Sequence, residues 1–191
     1  MIAHSLLMGH FILAGIAGLG YQSLIDPPTP DRIRQFVVRG DTLSDLWLYK
    51  YGAAAFPAYR VILTDPKSTN AEIAGVLSAL IFVKARKEQF RDLTVSYLSH
   101  QDSDVRVTAT GLMQQIGTPE EGSILVALLS DENLMIVNAA ATALAKTGGR
   151  REVVAMDAWL RAGVAHRDAP VYLKHVKTCR DALEKRLTDK N

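Results

Sequence analysis

Apolar residues recur along most of this chain at the three- and four-residue steps of a helix with one buried face. Leu43, Leu46, Trp47 and Tyr51 mark the first such stripe. It opens at the oxygen-bearing run Asp41-Thr42-Leu43-Ser44-Asp45 and closes at Gly52. Residues 53–63 supply a partner helix, with Pro57 either kinking it or marking its true start. A second pair follows the breaker at 64–70. Ile73, Val76, Leu77, Leu80 and Ile81 line its first helix, and Phe90, Leu93, Thr94, Tyr97 and Leu98 its second, with the charged run 84–88 as the turn.

The third pair opens at Asp104-Val105-Arg106-Val107-Thr108-Ala109 and runs through Leu112, Met113 and Ile116 to Gly117, which suits a left-handed C-terminal cap. Thr118-Pro119-Glu120-Glu121 then reads as a capping box with proline at the first helical position. Ile124, Leu125, Leu128 and Leu129 form the buried face that follows. The fourth pair repeats the plan with Ile136, Ala139, Ala140, Ala143 and Leu144, then Gly148-Gly149, then Val153, Met156, Trp159 and Leu160. A last helix starts near Asp168-Ala169-Pro170. Its stripe is Tyr172, Val176, Cys179, Leu183 and Leu187, and Lys174, Lys177, Arg180, Lys185 and Arg186 give it the polar face of a terminal cap.

These pairs are copies. Leu98, Leu129 and Leu160 lie 31 residues apart, as do Val105 and Ile136, Ala109 and Ala140, and Gly117 and Gly148. A fixed period of this size with two helical patterns per copy is the signature of a helical solenoid.

The run Ser103-Asp104-Val105-Arg106-Val107-Thr108-Ala109, with Gly117-Thr118-Pro119-Glu120-Glu121 behind it, resembles the short bacterial HEAT-like repeats also found in phycobilin lyases. That family pattern has Asp, then Val-Arg, then Ala on the first helix, a Gly turn, and a Leu-rich second helix. The third unit matches it best. The fourth has Val137 or Asn138 where the Arg stands, and the first two match in apolar pattern alone. The resemblance covers residues 41–165. It implies a right-handed superhelix of antiparallel pairs whose second helices line a concave face, and it implies no reaction.

The length of 191 residues suits one domain with a sizeable core, and 48% apolar with 22% charged residues is ordinary for a globular chain. A net charge of +2 is too weak to argue for a nucleic-acid partner. The single cysteine excludes an intrachain disulfide.

Residues 1–25 hold no Asp, Glu, Lys or Arg, and 6–19 are almost wholly apolar. Three readings compete: an export signal, an uncleaved membrane anchor, and a buried first helix. The balance favours export or anchorage, with 26–40 as a Pro-rich linker. Arg32, Arg34 and Arg39 behind the run, with no basic residue before it, argue the other way.

Candidate chemistry is sparse. His4, His10, His100, His166 and His175 read as loop or surface residues rather than metal ligands, and Cys179 as a small core residue with no activating histidine nearby. Asp102, Asp104, Asp131 and Glu132 read as helix caps rather than an acidic ridge. Arg39-Gly40-Asp41, a tripeptide associated with cell adhesion, reads as a turn and cap. Two basic clusters, Lys84, Arg86, Lys87 and Arg91, then Arg150, Arg151, Arg161 and Arg167, could follow a phosphate backbone as in HEAT-like DNA glycosylases. Interleaved acids favour a solvated edge instead. There is no Gly-rich phosphate loop, nucleophile elbow or zinc motif.

The expectation is an all-α fold: a right-handed α-solenoid of about four HEAT-like helix pairs over 41–191 with a C-terminal capping helix. The expected function is a non-catalytic scaffold for a protein or peptide, outside the cytoplasm or anchored to a membrane. Tyr59, Arg60, Tyr97, Ser123 and Arg161 are its candidate contacts, with no cofactor and no metal. The alternative is a cytoplasmic nucleic-acid binder or a lyase- or glycosylase-type enzyme. Self-association through 1–25 is a further expectation.

Overall fold

Helix starts in this chain are set by side chains that satisfy the first free N–H groups. The computed structural model describes residues 28–39, 48, 50–84, 86–162 and 169–189. The segment 1–25, the helix start at Asp41 with Leu43, Leu46 and Trp47, the Gly40-Asp41 turn, Arg167, Asp168, His4, His10 and His166 lie outside the described residues.

Among the described residues the chain is all-helical, with nine α-helices, short 3-10 turns and no strand. The first, α1, is Pro30–Arg39. It falls where the prolines suggested a linker. Pro30 occupies the first helical position, where the missing N–H has no partner to lose, and Ile33 N–H donates to Thr29 O at 3.0 Å. Ile33 is fully buried, so this helix belongs to the core.

A 3-10 turn at Gly52–Ala55 leads into α2, Phe56–Thr64. Gly52 has φ +50°, a conformation that favours glycine, and Pro57 sits in the first turn of α2 and marks its start rather than a kink. Helix α3 is Asn70–Phe82, and Thr69 and Glu72 cap it reciprocally: Glu72 N–H donates to Thr69 Oγ1, and Thr69 N–H donates to Glu72 Oε2 at 2.7 Å. A 3-10 turn at Lys87–Phe90 precedes α4, Arg91–Tyr97.

Helix α5, Ser103–Ile116, and α7, Leu134–Thr147, are both 14 residues long and stand one 31-residue step apart. Their caps stand at the same step. Asp102 Oδ1 accepts from the N–H groups of Asp104 and Val105, and Asn133 Oδ1 accepts from Met135 N–H. Between them lies α6, Gly122–Ala127, flanked by 3-10 turns at Pro119–Glu121 and Leu128–Ser130. The capping box at Thr118 forms, with Glu121 Oε2 accepting from Thr118 N–H at 2.6 Å. One step on, Glu152 Oε2 accepts from Gly149 N–H at 2.7 Å and opens α8, Arg150–Ala162. The chain closes on α9, Ala169–Thr188.

Gly117 is not left-handed. It has φ −64° and ψ 152°, and Gly148 has φ −63° and ψ 165°. Glycine is required for another reason. A Cβ at Gly117 would stand 2.6 Å from Met113 O, and one at Gly148 would stand 2.8 Å from Leu144 O. The chain leaves each helix so close to its last turn that backbone meets backbone.

Helices α1, α3, α5, α7 and α9 pack side by side in that order. The intervening helices lie against them: α2 on α1 and α3, α4 on α5, α6 on α7 and α8, and α8 on α9. The core lies between these helices and takes in Ile62, Leu77, Leu98, Leu112, Leu129, Ile136, Leu144 and Met156. Each such side chain contributes roughly 1.5–3 kcal/mol by burial. Ala139, Ala140, Ala141 and Ala143 are all buried on α7, so both neighbours can approach it closely.

Candidate functional site

The five expected contact residues fall on the intervening helices α2, α4, α6 and α8, and they do not form one cluster. Tyr59 is fully buried and is withdrawn as a contact residue. The inward face of α2 is Phe56, Ala58, Tyr59, Ile62 and Leu63, and the Tyr59 ring packs 6.3 Å from that of Phe56, which meets Phe90 edge-on at 5.1 Å. Burial pushes the Tyr59 phenol well above its usual range, and its hydroxyl is the one buried side-chain polar atom without a hydrogen-bond partner among the described residues.

One position further on, Arg60 points outward. Its guanidinium lies 5.4 Å from the Phe90 ring centre and donates to Gln89 O at 3.2 Å. Tyr97 is half-buried, and its hydroxyl donates to Leu63 O, which ties α4 to the end of α2. Burial raises the Tyr97 phenol as well. Ser123 on α6 and Arg161 on α8 are exposed.

The basic residues largely serve the fold. Lys87 is buried and donates to Ile81 O at 3.2 Å and to Gln115 Oε1. Burial lowers its ammonium below the usual lysine range. Arg91 donates to Ile116 O at 2.9 Å, Lys146 to Gln114 O at 3.1 Å, and Arg186 to Ala145 O at 3.2 Å and to Gly148 O. Each places a cation on the open carbonyls at the end of a first-row helix, where the helix dipole is negative. Lys87 and Arg91 are therefore not available to a phosphate backbone. Lys84, Arg86, Arg150 and Arg151 are exposed.

Of the four acids expected to cap, Asp102 caps α5, whereas α7 is capped by Asn133 and Asp131 serves the turn before it. Asp102 lies below the usual carboxylate range, held there first by the Val105 N–H and further by the Asn70 amide at 2.9 Å. Asp131 pairs with Arg106 and accepts from Asn133 N–H at 2.9 Å.

Two further features escaped the sequence reading. A shallow groove of about 600 Å³ lies between α8 and α9, lined by Asp157, Leu160, Leu173, Lys174, Lys177, Arg180 and Asp181. Arg180 grips Asp157 there through Nε at 2.8 Å and Nη2 at 3.0 Å. The second feature is a convergence of three side chains between α7 and α9. His175 Nε2 lies 3.0 Å from Thr142 Oγ1 and 3.2 Å from Cys179 Sγ, and the oxygen and sulfur are 4.0 Å apart. This corrects the reading of Cys179 as a residue with no histidine at useful spacing. His175 and Cys179 are four residues apart, one helical turn, and that spacing was the available signal. Burial pushes the thiol above its usual range. Burial thus disfavours the thiolate, the form in which a cysteine acts as nucleophile.

No family model matches this chain, and no curated protein is significantly similar to it. Among the described residues no three or more His, Cys, Asp or Glu side chains gather as a metal-binding group, and no helix is long and apolar enough to cross a membrane.

Proposed function

We propose that this chain is a short HEAT-like α-solenoid that holds a protein or peptide partner on the face of its second helices. The observation that carries this reading is the repetition itself. Helices α5 and α7 have equal length, equivalent caps and equivalent glycine exits one 31-residue step apart, and each packs against the next first-row helix. Stacked units of this kind make an extended, rigid surface, and a rigid surface loses little ordering entropy on binding. Arg60, Tyr97, Ser123 and Arg161 remain its contact residues. Use of Lys87 and Arg91 as helix caps favours a protein partner over nucleic acid. Residues 1–25 export or anchor this scaffold in the same reading. The intact mass of the native protein from fractionated cells tests that part: a chain shortened by about 20 residues in a soluble non-cytoplasmic fraction supports export.

The binding surface is tested by photo-crosslinking in the native cell. A crosslinking residue is placed at Arg60, Ser123 or Arg161 on the second row, and at Met135 or Val171, which are exposed on the first row. The expected result is one common protein adduct from the three second-row positions and none from the other two. Adducts from the first row alone would contradict the assignment.

A further inference from the structure

We propose that Thr142, His175 and Cys179 form a binding site for one thiophilic divalent cation of the zinc class, clamped between α7 and α9. The three donor atoms make a triangle with sides of 3.0, 3.2 and 4.0 Å. The point equidistant from its corners lies about 2 Å from each, close to ordinary zinc distances to nitrogen and oxygen. A cation lifted slightly from that plane and displaced away from the sulfur meets the longer zinc–sulfur distance, about 2.3 Å, while keeping about 2.1 Å to nitrogen and oxygen, and leaves a fourth position for water.

The hydrogens fit this occupant. Thr142 donates its hydroxyl proton to Asn138 O at 2.9 Å, so its lone pairs face the triangle. His175 with its proton on Nδ1 presents the Nε2 lone pair. The thiol hydrogen of Cys179 then fills the gap toward Nε2. Binding replaces that hydrogen: the sulfur–hydrogen bond breaks, a sulfur–metal bond forms, one proton leaves to solvent, and nothing is oxidised or reduced. The charge of the cation offsets the burial that otherwise disfavours the thiolate at Cys179, which is only 7% exposed. His175 and Cys179 stand one turn apart on a 20-residue helix, so two of the three donors are fixed in relation to each other before metal arrives. His175 is half-buried and gives the site its opening to solvent.

The test is a cobalt(II) titration of the full chain followed by absorbance, with zinc(II) as competitor. The expected result is one cobalt per chain, a thiolate-to-cobalt charge-transfer band, one proton released, and loss of the colour on adding zinc. Cys179→Ser abolishes the band. His175→Gln weakens cobalt binding by at least about tenfold, and His100→Ala leaves it unchanged. Circular dichroism establishes that each variant is folded, and if Cys179→Ser does not fold, the wild type and His175→Gln suffice. Absence of the band from the folded wild type, or full affinity in His175→Gln, overturns the site.

Discussion

Arg106 holds Asp131 with two parallel hydrogen bonds, Nε to Oδ2 at 2.9 Å and Nη2 to Oδ1 at 3.1 Å. The same guanidinium donates through Nη1 to His100 O at 2.8 Å and Gln101 O at 3.0 Å. One side chain thus joins the turn before its own helix α5 to the turn before α7. The partners are 13% and 9% exposed, so water competes weakly for either. Arg106→Ala leaves Asp131 largely buried without its partner and is expected to destabilise by about 3 kcal/mol. Arg106→Lys keeps the charge but loses the fork and recovers less than half of that. Chemical denaturation of both variants measures the difference, and equal stability of lysine and wild type would refute the bidentate role.

Gly75 sets the distance between α1 and α3. A Cβ there would stand 2.5 Å from Val37 Cβ. Gly75→Ala gains about 1 kcal/mol of helix propensity but overpacks the crossing by roughly 1–3 kcal/mol. The net expectation is a lower melting temperature and faster amide exchange in α1. Val37→Gly, which removes the atom in contact, combined with Gly75→Ala is expected to cost less than the sum of the two single changes, whereas two independent penalties would exclude this contact as the cause.

The glycine exits give a test that separates two explanations. A left-handed Gly117 would tolerate Asn better than Ala. The extended Gly117 excludes any Cβ because of Met113 O, so Gly117→Asn and Gly117→Ala are expected to cost alike, as are the same changes at Gly148. A clear advantage for Asn in thermal melts would contradict the geometry.

Tyr59→Phe removes the unpartnered hydroxyl and keeps the ring against Phe56. Leaving such a group buried costs on the order of 1–3 kcal/mol, so the variant is expected to match or exceed the wild type in stability. A melting temperature several degrees lower would reveal a partner for the hydroxyl.

Acid stability follows from depressed carboxylates. Asp65, held down first by Lys67 N–H, and Asp102, held down first by Val105 N–H, both titrate below their ordinary value. A depressed carboxylate contributes stability that is present above its unfolded value, about 3.9, and is lost as pH falls through the folded one. The melting temperature is therefore expected to drop below about pH 4. Asp102→Asn keeps a capping oxygen, does not titrate, and flattens part of that drop. An unchanged slope in this variant would remove Asp102 from the account.

Periodicity carried most of the fold. The stripes from Ile73 to Leu187 fall within or beside observed helices because their three- and four-residue spacing follows the helical turn, and the 31-residue step adds the matching of units between Leu98 and Leu160. Composition misled at 30–39, where prolines beside a helix start look like those of a linker. Gly117 was placed at the right position with the wrong physics, since sequence marks a glycine without revealing the carbonyl it must clear. Tyr59 and Arg60 show the limit at the surface: adjacent residues face opposite ways, and the phase of α2 follows from its start at Phe56. The basic clusters could not be resolved by pattern, because the carbonyls that Lys87 and Arg91 cap belong to other helices.

The repeat is tested most directly by lengthening it. A second copy of residues 103–133, inserted after Asn133, adds one helix pair if the 31-residue step is a self-contained structural unit. The account expects a monodisperse, cooperatively folding protein with helical signal rising in proportion to length and the particle extended by roughly 10 Å in small-angle scattering. Aggregation, or a folded particle that carries the insert as unstructured chain, would contradict it.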